Sequence, residues 1–307
     1  MDPFQAIVLG LVQGMTEFIP VSSSAHLIIV PWLFNWQDPG LTFDVALHIG
    51  TLVAVLTYFW ADWVRLIRAA LLSLAGRQVV TAGGTATLTG AGPTAGGWSR
   101  RSLTATPDSR LAWFIVLATI PGAIAGVLGE SKLDEMFHGT TPAAQNTGIF
   151  VIGVVMIALA VVLWIAERVA RHVHTMDQLT LGQALIIGLA QACAILPGVS
   201  RSGSTITAGL FQNLTREAAA RFSFLLGTPV IFGAGVKKLY DTLHTGGIPA
   251  GETSSFIIGF LVAAVSGYAT IYFLLRFLQR NSTMPFIIYR VVIGVLLMAL
   301  VLIGFRA

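Results

Sequence analysis

The sequence predicts an all-α polytopic membrane protein with about six transmembrane helices and two re-entrant helical hairpins, arranged as an inverted-topology repeat. Hydrophobic residues make up 55% of the chain and charged residues only 10%, whereas a soluble domain averages about 25% charged residues. The mean hydropathy is +0.80. Several apolar runs reach the ~20 residues that a helix needs to cross a bilayer, and two other apolar runs are interrupted by Pro, Gly and Ser.

Charge and cysteine content exclude several classes of protein. The formal net charge is +4 and the pI is about 9.6, but the few charges lie mostly in loops, where they indicate membrane topology rather than nucleic-acid binding. Cys193 is the single cysteine, so no intrachain disulfide can form. The N-terminus lacks a basic leader and a small-residue cleavage site, so we expect the first hydrophobic segment to be retained.

Residues 4–34 form the first interrupted run. Two apolar halves flank Pro20 and the serines at 22–24, and neither half is long enough to span a bilayer. Polar non-helical backbone at membrane depth is tolerated only where protein or water covers it. We therefore predict a re-entrant hairpin with its tip at Pro20–Ser24, with one kinked span as the alternative.

The six predicted spans follow the usual pattern of apolar runs bounded by Trp, Arg or Lys. They are residues 43–60, 111–128, 147–165, 218–236, 256–275 and 286–305. Residues 76–109 are rich in Gly, Thr, Ala and Ser without periodicity, which predicts a flexible loop. Residues 181–211 are again apolar and again interrupted, at Pro197 and Gly198, which predicts the second re-entrant hairpin.

The distribution of Arg predicts the orientation of the chain. The loops at 65–110, 167–177 and 276–280 hold most of the Arg residues and are placed in the cytoplasm by the positive-inside rule. The loops at 130–146 and 237–253 and both termini are then outside, although Lys237 and Lys238 oppose this assignment. The first hairpin then enters the membrane from outside and the second from the cytoplasm.

An internal repeat is predicted within the single membrane domain of residues 1–307. Pro20 corresponds to Pro197 and Gly50 to Gly227, both at an offset of 177 (197 − 20 and 227 − 50). The units would be residues 1–170 and 178–307, each with one hairpin and three spans, so the second is inverted. Inverted repeats with broken helices place their site near the bilayer midplane. Chance similarity between Gly-rich apolar segments is the alternative.

The first hairpin tip carries groups that could perform chemistry. Gln13 and Glu17 are four residues apart and share a helix face. A carboxylate in a membrane segment indicates a functional site, and Glu17 could bind a hard divalent cation or act as a general base, or instead cap a helix or pair with Arg. Ser22 or Ser23 could act as nucleophile. His26 could assist as acid or base, or simply be a hydrogen-bonded helix residue.

The second tip, L-P-G-V-S-R-S-G-S-T at 196–205, provides positive charge and hydroxyls. Arg201 could bind phosphate oxygens bidentately. A Gly-rich turn before a helix also presents free N–H groups to an anion. The residues predicted to bind phosphate are Ser22, Ser200, Arg201, Ser202, Thr205 and Arg290. A polar loop outside the membrane, and an interfacial role for Arg290, are the alternatives.

Together the two tips contain the groups that phosphoryl transfer needs: a nucleophile, a carboxylate, a His and an Arg. A phosphate site between membrane helices suits an amphiphile with a polar head and a long apolar tail. A transporter of a prenyl phosphate or other anion is the main alternative, because inverted repeats and broken helices are typical of transporters. A structural scaffold leaves both polar tips unexplained.

The chain resembles the bacterial undecaprenyl-diphosphate phosphatases of the bacitracin-resistance type. The resemblance rests on Q-G-M-T-E-F-I-P-V-S-S-S-A-H at 13–26, P-G-V-S-R-S-G-S-T at 197–205, the stretch 220–226 and Tyr289-Arg290. It implies hydrolysis of undecaprenyl diphosphate to the monophosphate and inorganic phosphate in the bacterial inner membrane. It also implies recycling of the lipid carrier for peptidoglycan synthesis, bacitracin resistance and a divalent cation, Mg²⁺ or Ca²⁺.

By the same resemblance, Ser23 is the nucleophile with His26 and Glu17 as catalytic partners, and Ser200, Arg201, Thr205 and Arg290 hold the diphosphate. Glu17 and Gln13 are the expected metal ligands, although many family members have Glu at position 13. The sequence leaves open the preferred metal and whether Ser23, His26 or water attacks. It also leaves open whether the lipid is flipped as well. The oligomeric state is open too, with a homodimer as one expectation.

Overall fold

The computed structural model describes residues 1–37, 39–75, 78–82, 85–89, 106–137, 142–244 and 251–306. The described chain is overwhelmingly helical, as the composition predicts. Its helices are α1 Pro3–Phe18, α2 Ser23–Phe34, α3 Leu41–Tyr58, α4 Trp60–Leu74, α5 Pro107–Phe137, α6 Pro142–Val169, α7 Leu181–Ala192, α8 Arg201–Phe211, α9 Arg216–His244, α10 Thr253–Leu278 and α11 Met284–Leu302. Short 3₁₀ turns cover Met176–Gln178 and Cys193–Ile195.

Five of the described helices, α5, α6, α9, α10 and α11, are long and apolar enough to cross a membrane. Helices α3 and α4 meet that criterion only as a pair and are bent by 77° at their junction. The described residues therefore contain five helices suited to crossing a membrane, or six if the bent pair counts as one span, as in a multi-pass membrane protein. This agrees with the prediction of about six.

Both interrupted runs are pairs of short helices, as predicted. Helices α1 and α2 are separated by residues 19–22, and α7 and α8 by residues 193–200. The first helix of each pair begins at a capping box. The Asp2 and Gln5 side chains form it on α1, and Thr180 and Gln183 form it on α7. Each helix in these pairs has 16 residues or fewer, so none is long enough to cross the bilayer by itself.

Several boundaries differ from the sequence prediction. Residues 60–74, placed mostly in a cytoplasmic loop, form the amphipathic helix α4, with Arg65 and Arg68 exposed. Helix α5 continues to Phe137 and α9 to His244, into segments predicted as outside loops. Charged residues near a span end prolong a helix into the interface without breaking it, because Lys, Arg and Glu have good helix propensity.

Two short strands lie within the segment 76–109, for which the sequence predicted a flexible loop. Strands β1 Gln78–Ala82 and β2 Thr85–Thr89 pair antiparallel, with Gln78 opposite Thr89 and Val80 opposite Thr87. Thr and Val favour extended backbone because they are branched at Cβ. The rest of the described chain is helical or irregular, in agreement with the all-α prediction, and residues 76–77, 83–84 and 90–105 of the predicted loop lie outside the described residues.

Close helix packing brings the first hairpin against the bundle. Helix α1 packs along α10, which also packs along α3, while α6 packs along α11 and α5 along α7. Gly14 makes the α1–α10 approach possible: a Cβ there would lie 2.7 Å from the backbone nitrogen of Gly267. Small residues allow such contacts between membrane helices, which lack a strong hydrophobic driving force for association.

Candidate active site

The first hairpin turns at Ser22, which has a φ of 81° and is the N-cap of α2. Its Oγ accepts a hydrogen bond from the Ala25 N–H at 3.4 Å. A left-handed backbone is unfavourable for a residue with a Cβ, but glycine would lack the hydroxyl that caps the helix. The next residue, Ser23, therefore occupies the first position of α2 and is only partly buried.

The second hairpin turns in the same way at Ser200, which has a φ of 70° and is the N-cap of α8. Its Oγ accepts a hydrogen bond from the Gly203 N–H at 3.0 Å. Gly198, with a φ of 94°, precedes it and packs against α6, where a Cβ would lie 3.2 Å from the Ile152 carbonyl oxygen. Glycine is thus required at 198 both by its conformation and by its neighbour.

Three hydrogen bonds join the two turns into one site. The Gly198 N–H donates to Ser22 Oγ at 3.2 Å, and Ser202 Oγ donates to the Ile19 carbonyl at 3.1 Å. Arg201 Nη2 donates to Glu17 Oε1 at 2.9 Å, an ion pair between two largely buried side chains. The residues that the sequence placed at separate tips are therefore neighbours in space.

Glu17 lies at the centre of this site. Its Oε2 accepts hydrogen bonds from Ser23 Oγ at 2.5 Å and from Gln13 Nε2 at 3.0 Å, and its Oε1 binds Arg201. The carboxylate is 5% exposed. Burial of an ionised carboxylate is costly unless it is paired and hydrogen-bonded, and these three partners meet that requirement. A hydroxyl that donates directly to a carboxylate is oriented for loss of its proton.

Arg201 retains unused binding capacity. Its Nη1 is buried without a hydrogen-bond partner, although guanidinium N–H groups normally find acceptors. The guanidinium occupies space left by Gly227 of α9, where a Cβ would lie 1.1 Å from Nη1. A guanidinium that is held on one side by Glu17 and free at Nη1 is suited to bind a phosphate oxygen.

His26 forms its hydrogen bonds with neither Ser23 nor Glu17. Its Nδ1 lies 2.6 Å from the Ser22 carbonyl oxygen, and its Nε2 lies 2.7 Å from the Tyr289 hydroxyl. The hydroxyl of Ser23 is bound to Glu17 instead. The group best placed to take the Ser23 proton is therefore the carboxylate, although the sequence had also offered His26.

The guanidinium of Arg290, which the sequence predicted to bind phosphate, contacts backbone carbonyls in the structure. Its guanidinium donates to the carbonyls of Met156, Gly198, Val199 and Pro20 at 2.7–3.4 Å, and the side chain is 1% exposed. All its donors are thus used by backbone. We assign Arg290 a structural role: it ties the turn of the first hairpin to that of the second and both to α6.

The hydroxyls predicted to bind phosphate mostly bind protein groups. Ser22 and Ser200 cap their helices, and Ser202 binds the Ile19 carbonyl. Thr205 Oγ1 donates to the Arg201 carbonyl at 2.8 Å and lies 2.6 Å from Ser223 Oγ. All four side chains are at least 96% buried. These contacts shape the two turns, whereas Ser23 and Arg201 remain partly accessible.

The residues at the site fit a divalent cation of the type implied by the family resemblance. Gln13 Oε1 is buried without a partner beside Glu17, and amide and carboxylate oxygens are suitable ligands for Mg²⁺ or Ca²⁺. Among the described residues, no group of three or more His, Cys, Asp or Glu side chains is arranged to hold a metal.

Three residues near the site were not singled out as site residues from the sequence. His48 Nε2 lies 3.8 Å from Glu17 Oε2, Tyr289 binds His26, and Gly227 makes room for Arg201. An ionisable His inside a predicted span is a signal that could have identified His48. Tyr289 had been noted only as part of the family resemblance and Gly227 only as a repeat position, because their roles depend on contacts between distant parts of the chain.

Comparisons with known proteins identify the family of the whole chain. A family model described as "Bacitracin resistance protein BacA" matches residues 6–296. A protein of Thermomicrobium roseum named undecaprenyl-diphosphatase is 44% identical over 305 residues, covering 98% of this chain and 99% of that protein. Proteins of the same name from Moorella thermoacetica and Geobacter sulfurreducens are 44% and 43% identical over 300 and 294 residues. They cover 97% and 96% of this chain, and the match spans 98% and 96% of their own lengths.

Proposed function

This chain belongs to the bacitracin resistance protein BacA family, and we infer that it hydrolyses undecaprenyl diphosphate to undecaprenyl phosphate and inorganic phosphate. Relatives that match nearly its whole length carry the name undecaprenyl-diphosphatase. The reaction returns the lipid carrier to peptidoglycan synthesis. It also removes the diphosphate that bacitracin sequesters, which is how the activity would confer resistance.

The observation that carries the mechanism is the contact of Ser23 Oγ with Glu17 Oε2 at 2.5 Å, next to the Arg201 guanidinium. Ser23 Oγ attacks the terminal phosphorus while its proton passes to Glu17. The bond from that phosphorus to the bridging oxygen breaks, and undecaprenyl phosphate leaves with the electron pair. Water then attacks the phosphoserine, inorganic phosphate leaves, and Ser23 recovers a proton.

Positive charge at the site stabilises the transferring phosphoryl group. Arg201 Nη1, which has no protein partner, binds a non-bridging oxygen, and its pair with Glu17 fixes the guanidinium in place. Ser23 lies at the first position of α2, where unpaired N–H groups and the helix dipole favour an anion. These groups are in place before the substrate binds, so little reorganisation is needed in the transition state.

A divalent cation, Mg²⁺ or Ca²⁺, would be held by Glu17 and Gln13 and would neutralise charge on the diphosphate. The buried, unpartnered Gln13 Oε1 supports this assignment. His26 supports the site from the far side of the turn by binding the Ser22 carbonyl.

The setting of the site follows from the distribution of Arg. We place the protein in the bacterial plasma membrane, with the α1–α2 hairpin entering from outside, so that the active site faces the periplasm or cell exterior. The prenyl tail then remains among membrane helices while the diphosphate reaches Ser23. A homodimer stays a prediction.

Transport of a prenyl phosphate or another anion is not favoured as the primary function. The curated relatives are named for a hydrolase activity, and a transport site needs anion donors but no serine hydroxyl bound to a carboxylate. The Ser23–Glu17 contact has a direct use in hydrolysis.

The test is phosphate release from a long-chain prenyl diphosphate by the purified protein in detergent. Ser23→Ala should lower the rate by about 10³-fold or more, as loss of a nucleophile does in serine enzymes. Ser24→Ala is the matched control, because Ser24 Oγ contacts Ser22 Oγ at 3.3 Å and not Glu17. Phosphate release that persists in Ser23→Ala would support the phosphatase activity but show that Ser23 is not the nucleophile. A well-folded wild type that releases no phosphate would refute the activity.

A further inference from the structure

Tyr289 of α11 is bound to His26 by two kinds of contact. Its hydroxyl lies 2.7 Å from His26 Nε2, and the two rings stack with their centroids 5.7 Å apart at an angle of 18°. The residues are 263 positions apart in the chain. His26 is 7% exposed and Tyr289 40% exposed, so the phenol is the more accessible ring of the pair.

The contacts of His26 determine which of its nitrogens carries the proton. Nδ1 lies 2.6 Å from the Ser22 carbonyl oxygen, which can only accept, so Nδ1 must be the donor. In a neutral imidazole Nε2 is then an acceptor, and the Tyr289 hydroxyl donates to it. The chain of donors therefore runs from Tyr289 to His26 and from His26 to the Ser22 carbonyl.

This chain ends at the strained residue of the first turn. Ser22 has a φ of 81°, and a non-glycine residue stays in such a conformation only when its surroundings fix it. Ser23 follows directly, and its Oγ must keep the 2.5 Å contact with Glu17. A shift of the Ser22 carbonyl rotates the peptide that links it to Ser23.

We propose that Tyr289 is a positioning residue of the phosphatase: its hydroxyl holds His26 as the Nδ1–H tautomer, and that ring holds the Ser22 carbonyl so that Ser23 faces Glu17. The proposal rests on the proposed function, in which Ser23 is the nucleophile. Without the hydroxyl, the proton can move to Nε2, and Nδ1 then turns a lone pair toward the Ser22 oxygen. The turn loses one of the contacts that oppose its strain.

Tyr289→Phe tests the hydroxyl while keeping the stacked ring. We expect kcat to fall by about threefold to tenfold, the size of one net hydrogen bond, with KM within about twofold of wild type because Tyr289 acts through His26. Tyr272→Phe is the matched control, since Tyr272 is similarly exposed and its ring contacts Arg276 instead. Thermal unfolding of both variants checks that the fold is retained.

A second measurement reads the tautomer directly. In protein labelled with ¹⁵N-histidine, the His26 ring signals are identified by their loss in His26→Gln. Wild type should show the proton on Nδ1, and Tyr289→Phe should show a mixture of tautomers, which a purely packing role of Tyr289 would not produce. Tyr272→Phe should leave the spectrum as in wild type.

Each other outcome overturns a defined part of the argument. An unchanged kcat in Tyr289→Phe, or a wild-type ring protonated at Nε2, refutes the proposal. A raised KM at unchanged kcat means that Tyr289 contacts the lipid substrate directly, and also refutes it. If wild type releases no phosphate, the proposed function fails, while the tautomer spectrum still decides whether Tyr289 controls His26.

Discussion

Arg201 and Glu17 form an ion pair at 2.9 Å although 184 residues separate them in the chain. Each comes from a different hairpin, and both side chains are largely buried. The pair therefore holds the hairpins together and at the same time sets up the site, because Glu17 Oε2 also accepts from Ser23 and Arg201 Nη1 is buried without a hydrogen-bond partner.

Removal of one partner of this pair should be more harmful to stability than removal of both. Arg201→Ala leaves the Glu17 carboxylate buried without its counter-ion, which costs about 3–5 kcal/mol in comparable pairs. The double variant Arg201→Ala with Glu17→Gln should recover part of the melting temperature in detergent but no phosphate release. Equal melting temperatures for the single and the double variants would show that the pair is not coupled.

Gln13→Glu should strengthen cation binding at the site. A second carboxylate beside Glu17 adds charge for a hard divalent ion, and affinity rises with the number of charged ligands. The cation concentration that gives half-maximal phosphate release should fall on the order of tenfold, and a chelator should abolish release in wild type.

Gln191→Glu is the matched control for this change. Gln191 is also a buried hairpin glutamine with an unpartnered amide, but it packs beside Gly122 of α5. Its replacement should leave the cation requirement unchanged. A cation requirement that Gln13→Glu does not alter would argue against Gln13 as a ligand.

Gly227→Ala should disturb Arg201 without unfolding the protein. The added Cβ would overlap Nη1, at 1.1 Å, so the flexible end of the Arg side chain must move. We expect phosphate release to fall by about tenfold, the effect of one weakened charge-assisted hydrogen bond. Gly233→Ala on the same helix is the control, because a Cβ there meets no atom within 4 Å. Equal rates in the two variants would contradict the assigned role of Arg201.

Arg290→Lys should lower stability more than it alters substrate affinity. Lys cannot reproduce a planar fork that donates to several carbonyls at once, and buried carbonyls left without a donor each cost about 1–3 kcal/mol. The melting temperature should fall, and the KM of the folded fraction should stay near that of wild type. A raised KM at an unchanged melting temperature would instead support the phosphate contact that the sequence had predicted.

The sequence predicted the larger features because they depend on local composition. Hydropathy identified the spans, and Pro20 and Pro197 identified the two breaks, since neither segment can continue as a helix of membrane length. Glu17 and Arg201 were recognisable because a charge inside an apolar segment has few structural uses. Their direct contact required the fold.

Other features could not be predicted because they depend on distant contacts. Nothing in the residues around Arg290 distinguishes a guanidinium that binds phosphate from one that binds backbone carbonyls. Helix α4 was assigned to a loop because its Arg residues satisfied a topology rule, although their spacing on an amphipathic helix is equally compatible. His26 was paired with Ser23 by proximity in sequence, whereas its ring binds Tyr289 from the last described helix.

The inverted repeat stays a prediction, as do the two units 1–170 and 178–307. The capping serines Ser22 and Ser200 share a positive φ and the same bond to the N–H three residues later. They lie 178 positions apart (200 − 22), whereas the prolines lie 177 apart. The difference of one arises because the second turn contains an extra residue, Gly198, between its proline and its serine.

The hydrogen bonds of Arg290 to both turns have a consequence for biogenesis. Both hairpins precede α11 in the chain, so a ribosome delivers them to the membrane before the side chain that binds the carbonyls of Pro20, Gly198 and Val199 has been made. Until then those carbonyls lack their donor in a medium that offers little water. A nascent chain at that stage therefore has two turns with unsatisfied carbonyls, and the site is complete only once α11 has been inserted.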